Sequence, residues 1–87
     1  MSQSQAKGYI EDVLASRGVK ADFGIVEIGE EPWQVFEYQG RCIAIDPHSG
    51  VWVGPHGGEW RCVGSSCTVS SALEAIEVLM PEPKGNP

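Results

Sequence analysis

Three cysteines, two histidines and a set of carboxylates are the side chains of this chain that could do chemistry. Cys67 lies in Ser65-Ser66-Cys67-Thr68, just ahead of a helical pattern. A helix N-terminus lowers a thiol pKa, so Cys67 is the best placed of the three to act as a nucleophile. It would need a base, and only His48 and His56 offer an imidazole. This defines one functional class, a small thiol enzyme. Both histidines follow a proline in a turn, at the two ends of one short strand. A strand of that length holds its ends ~13 Å apart, whereas zinc needs all ligands within ~2.3 Å of one point. The pattern therefore calls for no metal and no other cofactor. Cys42 and Cys62 fall on strands with a third strand between them, which separates them by ~9.6 Å and exceeds the ~7 Å reach of a disulfide. Gly54-Pro55-His56-Gly57-Gly58 joins two strands and lacks the Lys-Ser/Thr of a phosphate loop, so it reads as a turn.

The carboxylates define a second class. The chain has 87 residues, with 12 acidic against 6 basic side chains and a formal net charge of −6. Asp22, Glu27, Glu30, Glu31, Glu37, Asp46 and Glu59 crowd the middle, where only Arg41 and Arg61 answer them. General-acid work needs a carboxyl desolvated in a pocket, and a chain this short has little room for one. An acidic surface repels nucleic acid and attracts basic proteins. The partner expected is a basic protein surface, with no direct contact to nucleic acid or membrane, and the protein itself is expected to be a monomer.

These side chains need elements to hold them. A helix is predicted over about Gln5–Arg17, where Ala6, Ile10, Val13, Leu14 and Arg17 share a face and Gly18 suits the terminus. Five strands follow, at about Gly24–Ile28, Trp33–Tyr38, Arg41–Asp46, Val51–Gly54 and Glu59–Val63. Gly29-Glu30-Glu31-Pro32 separates the first two. A last helix is predicted over about Val69–Met80, capped by Thr68, with a Ser71/Glu74 capping box as the alternative. Its stripe is Val69, Ala72, Leu73, Ile76, Leu79 and Met80, with Glu74 and Glu77 in water. Short connections favour neighbours in space, so the fold class is α+β: an antiparallel meander of about five strands between an N-terminal and a C-terminal helix.

Gln39-Gly40 is a two-residue hairpin connection, and it assigns the faces. Tyr38 falls opposite Arg41, Phe36 opposite Ile43 and Gln34 opposite Ile45. Alternation then puts Gln34, Phe36, Tyr38, Ile43 and Ile45 on the side expected to lie under the helices. Trp33, Val35, Glu37, Cys42, Ala44 and Asp46 share the other. An aromatic beside carboxylates on an uncovered sheet face suits a binding surface, and it equally suits an ordinary half-solvated face.

One domain spans residues 1–87, with a core over about 5–80 and fraying expected at Met1–Gln5 and Pro81–Pro87. No apolar stretch reaches the ~20 residues of a membrane span, and no secretory signal is visible. An odd number of cysteines points to reduced thiols, so the cytoplasm is the expected compartment.

In size, in the surplus of carboxylates (Glu27, Glu30, Glu31, Glu37, Asp46, Glu59) and in its helix–meander–helix layout, the chain resembles anti-CRISPR proteins, the small inhibitors carried by phages and mobile elements. The likeness covers the whole chain but rests on no diagnostic motif. It implies a non-enzymatic inhibitor in a bacterial host cell, set against a nucleic-acid-handling protein such as a CRISPR effector subunit. Small immunity proteins that neutralise toxins share the same traits. The expected contact surface is Glu27, Glu30, Glu31, Trp33, Glu37, Asp46 and Glu59.

Overall fold

The computed structural model describes residues 1–81 and has the order α1 (Gln3–Ser16), β1 (Gly24–Ile28), β2 (Glu31–Tyr38), β3 (Arg41–Ile45), β4 (Val51–Pro55), β5 (Arg61–Gly64) and α2 (Val69–Leu79). The strands form one antiparallel sheet in the order β1-β2-β3-β4-β5. The α+β meander between two helices is therefore the fold.

The Gln39-Gly40 hairpin sets the register. Both residues have positive φ, 52° and 85°, as a type I′ turn requires. Tyr38 pairs with Arg41, Phe36 with Ile43 and Gln34 with Ile45. Phe36, Ile43, Ile45, Val51 and Val53 all point to one side of the sheet and are buried there, with Ile10 and Leu14 of α1 and Ala72, Ala75, Ile76 and Leu79 of α2. A fully buried aliphatic side chain stabilises by ~1.5–3 kcal/mol, so this layer holds the domain together. Arg17, the C-cap of α1, and Glu77 of α2 reach each other at 3.6 Å. Glu77 is thus shared between solvent and Arg17.

Several boundaries differ from the sequence reading. The first helix starts at Gln3, two residues before the expected Gln5. Ser2 caps α1, its hydroxyl accepting from the Gln5 N–H at 3.1 Å while Gln5 Oε1 accepts from the Ser2 N–H at 2.8 Å. The tail beyond Pro81 lies outside the described residues. Gly29-Glu30 is a complete two-residue hairpin turn, with φ of 60° and 66°, and β2 already starts at Glu31. Pro32 therefore does not break the strand. Its ring nitrogen faces away from β1, and β3 reaches only as far as Gln34, so no ladder bond is lost. The outward Pro32 carbonyl accepts instead from the Gln3 side chain, at 3.0 Å.

At α2 the box is formed by Thr68 with Ser71, not by Ser71 with Glu74. The Ser71 hydroxyl is buried and donates to the backbone around Ser66 and Thr68. The buried arc runs through Ala72, Ala75, Ile76 and Leu79; Val69 and Leu73 fall on its outer margin and are exposed.

Candidate functional site

The side of the sheet away from the helices carries Val26 and Ile28 from β1, Glu31, Trp33, Val35 and Glu37 from β2, Cys42 and Ala44 from β3, Trp52 and Gly54 from β4, and Cys62 from β5. All three tryptophans of the chain meet there. Trp33 lies between Trp52, at 5.6 Å between ring centroids, and Trp60, at 6.3 Å, with the planes inclined by 54° and 45°. Each indole is half-buried.

Two loops aim the rings. In the loop from Asp46 to Gly50, Asp46 Oδ1 accepts from the backbone N–H of His48 and of Gly50, both at 2.8 Å. Its Oδ2 accepts from the Trp52 indole N–H at 3.0 Å. A Cβ on Gly50 would run into this carboxylate. Burial pushes the Asp46 carboxyl up, but the bonds from Trp52, Gly50 and His48, with the nearby His48 ring, hold it below the usual carboxylate range. Asp46 is thus an ionised brace for a loop and an indole, and its oxygens are already engaged.

The second loop runs from Pro55 to Trp60. The sequence reading placed Glu59 and Trp60 in the last strand, but β5 starts only at Arg61. Gly57, with φ of 79°, turns the chain back, and the Trp60 indole N–H donates to the Pro55 carbonyl at 3.0 Å. Trp60 then packs against the sheet at Gly54. A Cβ on Gly54 would come within 2.5 Å of Trp60 Cδ1 and 2.6 Å of the Glu59 carbonyl. Ala44 and Cys42 are buried although no helix lies on their side. Small floor residues and large indoles thus form a second, thinner apolar layer.

The carboxylates have separate positions. Glu31 and Glu37 belong to the tryptophan face and are exposed, and Glu37 accepts from the Gly40 N–H at 2.7 Å. Glu59 is exposed beside Trp60. Glu30 sits at the β1–β2 turn, away from the sheet body. Glu27 pairs with Pro32, which puts it on the opposite side of the sheet. Of the seven residues singled out, the structure gathers Glu31, Trp33, Glu37, Asp46 and Glu59 on or at the rim of one face. Sequence reasoning missed Trp52 and Trp60. The signal was Gly54 beside Ala44, two small residues that leave room for something large.

Among the described residues this face holds no Lys or Arg. Arg41 and Arg61 pair with Pro55 and Val53, on the helix side, where Arg41 Nη1 also approaches the Val78 carbonyl at 3.4 Å. Lys7 pairs with Glu11 on α1 at 3.1 Å. The described residues enclose no pocket.

The cysteine that meets an imidazole is a different one from the Cys67 on which a thiol enzyme would be built. Burial raises the Cys67 pKa despite the helix start, with the positive N-terminal amine opposing it only in part, and its Sγ donates to the Thr68 carbonyl at 3.8 Å. The histidine that meets a thiol is His56, with Nδ1 3.9 Å from Cys42 Sγ, not from Cys67. Burial, and then the Glu37 carboxylate, raise the Cys42 pKa as well, so both buried thiols stay protonated at neutral pH. No three His, Cys, Asp or Glu side chains among the described residues converge as a metal site. None of the described helices is long and apolar enough to cross a membrane.

No protein-family model, no curated protein and no solved structure matches this chain.

Proposed function

We infer that this protein is a non-enzymatic acidic binding module that docks, as a monomer, onto a basic surface of a nucleic-acid-handling protein and keeps the nucleic acid out. The observation that carries this reading is the polarity of the open face. Three inclined indoles lie at its centre, Glu31, Glu37 and Glu59 stand at its rim, and its described residues include no Lys or Arg. Aromatic side chains ringed by one sign of charge are the composition of an interface rather than of idle surface. The resemblance to anti-CRISPR inhibitors makes a CRISPR effector subunit in a bacterial host cell the first partner to try.

The experiment is a binding measurement against purified basic effector subunits and nucleases at low and at moderate salt. Glu31→Lys with Glu59→Lys should weaken binding roughly tenfold or more, because attraction becomes like-charge repulsion. Asp12→Lys with Glu74→Lys makes the same charge change on the helix side and should cost far less. Equal loss from both doubles would mean that only net charge matters. Retention of no basic partner at low salt would remove the reading altogether.

A further inference from the structure

Within the acidic docking face just described, and resting on that reading, we propose that the Trp33 indole is the seat of a single arginine side chain of the partner. Three observations converge on Trp33. It is the central ring of the three, flanked at 5.6 Å and 6.3 Å by Trp52 and Trp60. Those two outer rings are pinned through their N–H groups, to Asp46 and to the Pro55 carbonyl, whereas the Trp33 N–H makes no hydrogen bond to the described residues. The nearest same-face carboxylate along β2 is Glu31, two positions away and so about 7 Å along the strand.

An indole is the strongest of the side-chain π surfaces for a cation. Here Glu31 is its same-face neighbour on β2, and the described residues of the face include no Lys or Arg to compete. The shape of the site selects among cations. A compact quaternary or primary ammonium is held best by an aromatic cage with walls. This face encloses no pocket, so it offers a platform instead. The guanidinium is planar, is weakly hydrated, stacks on an aromatic face and presents a fork of N–H donors. Lying over Trp33, its stem would pass along apolar surface, and its fork would reach toward the Glu31 carboxylate, a charge-assisted bond. A lysine in the same place keeps the charge but loses the flat stack and the fork.

The test uses the whole protein and three short peptides of alternating glycine with arginine, lysine or citrulline. Citrulline keeps the planar end of arginine without its charge. Titrations at low salt follow the indole N–H resonances by NMR. The arginine peptide should bind about fivefold more tightly than the lysine peptide, which is ~1 kcal/mol and within the range of a partly exposed cation–π contact. Citrulline should bind weakest, and the Trp33 N–H should move furthest. Trp33→Leu should bring the arginine peptide down to the lysine level, and Trp33→Phe, which keeps a ring, should fall between. Equal binding of arginine and lysine, with Trp33→Leu shifting neither, overturns the anchor and leaves the acidic docking face standing. Citrulline binding as tightly as arginine overturns both, because charge would then be irrelevant. Binding of no peptide removes the anchor, and the charge-reversal experiment then decides the docking face alone.

Discussion

The two sides of this sheet are built from the same strands by opposite packing rules. On the helix side, branched aliphatic residues and Phe36 interlock with α1 and α2 until Ile43, Ile45 and Val51 are fully buried. On the other side, Ala44 and Gly54 leave a shallow floor, and three indoles from two strands and one loop lie over it, half in water. The first side makes stability from shape alone. The second keeps large rings at the surface, held by hydrogen bonds to Asp46 and Pro55. The difference separates the layer that folds the chain from a face that leaves its aromatic rings in reach of solvent.

The comparison breaks most readily at the core. Phe36→Ala or Ile76→Ala should each cost ~2–5 kcal/mol by chemical denaturation, against a total of ~5–10 kcal/mol for a domain of this size. Unchanged midpoints would show that the helix side is not the core. Gly54→Val should cost ~1–3 kcal/mol, since the new side chain overlaps Trp60 and the Glu59 carbonyl. It should also release the Trp60 ring, read as a shift of tryptophan emission toward that of exposed indole. A silent Gly54→Val would mean that Trp60 does not rest on the sheet.

Asp46→Asn sharpens the comparison further. It should cost about 1–1.5 kcal/mol at neutral pH, because an amide cannot accept all three bonds that the carboxylate accepts. The pH dependence has a definite sign. The folded pKa of Asp46 lies below the ordinary value, so its contribution is present above the unfolded pKa and lost as pH falls through the folded one. The wild type should therefore lose stability more steeply than Asp46→Asn at pH values below the usual carboxylate range. Parallel acid limbs would refute the brace. The smallest effect belongs to the rim. Glu31→Lys with Glu59→Lys should change stability by less than about 0.5 kcal/mol, since exposed charges contribute little. A larger loss would make these carboxylates structural and unsuited as a separable contact surface.

Much of this was legible in the residues. Gln39-Gly40 between two alternating runs set the register of β2 and β3, and alternation then sorted Phe36 from Trp33. The helix periodicities located Ile10, Leu14, Ile76 and Leu79. Local rules were enough there, because hairpin geometry and amphipathic spacing act over a few neighbouring residues. The same rules misread Pro32. Whether a missing N–H matters depends on which way the nitrogen points and on where the next strand ends.

The amino-acid sequence by itself determined the α+β order, the core side of the sheet and the acidic surplus, because each follows from chain-local pattern or from composition. The tertiary structure decided three things. It folded Trp60 back onto Gly54, it tied Trp52 to Asp46, and it moved Glu27 to the far side while gathering Glu31, Glu37 and Glu59 around three indoles. Those juxtapositions depend on which atoms two loops can reach across neighbouring strands, and that distance is fixed only once the sheet is closed and packed.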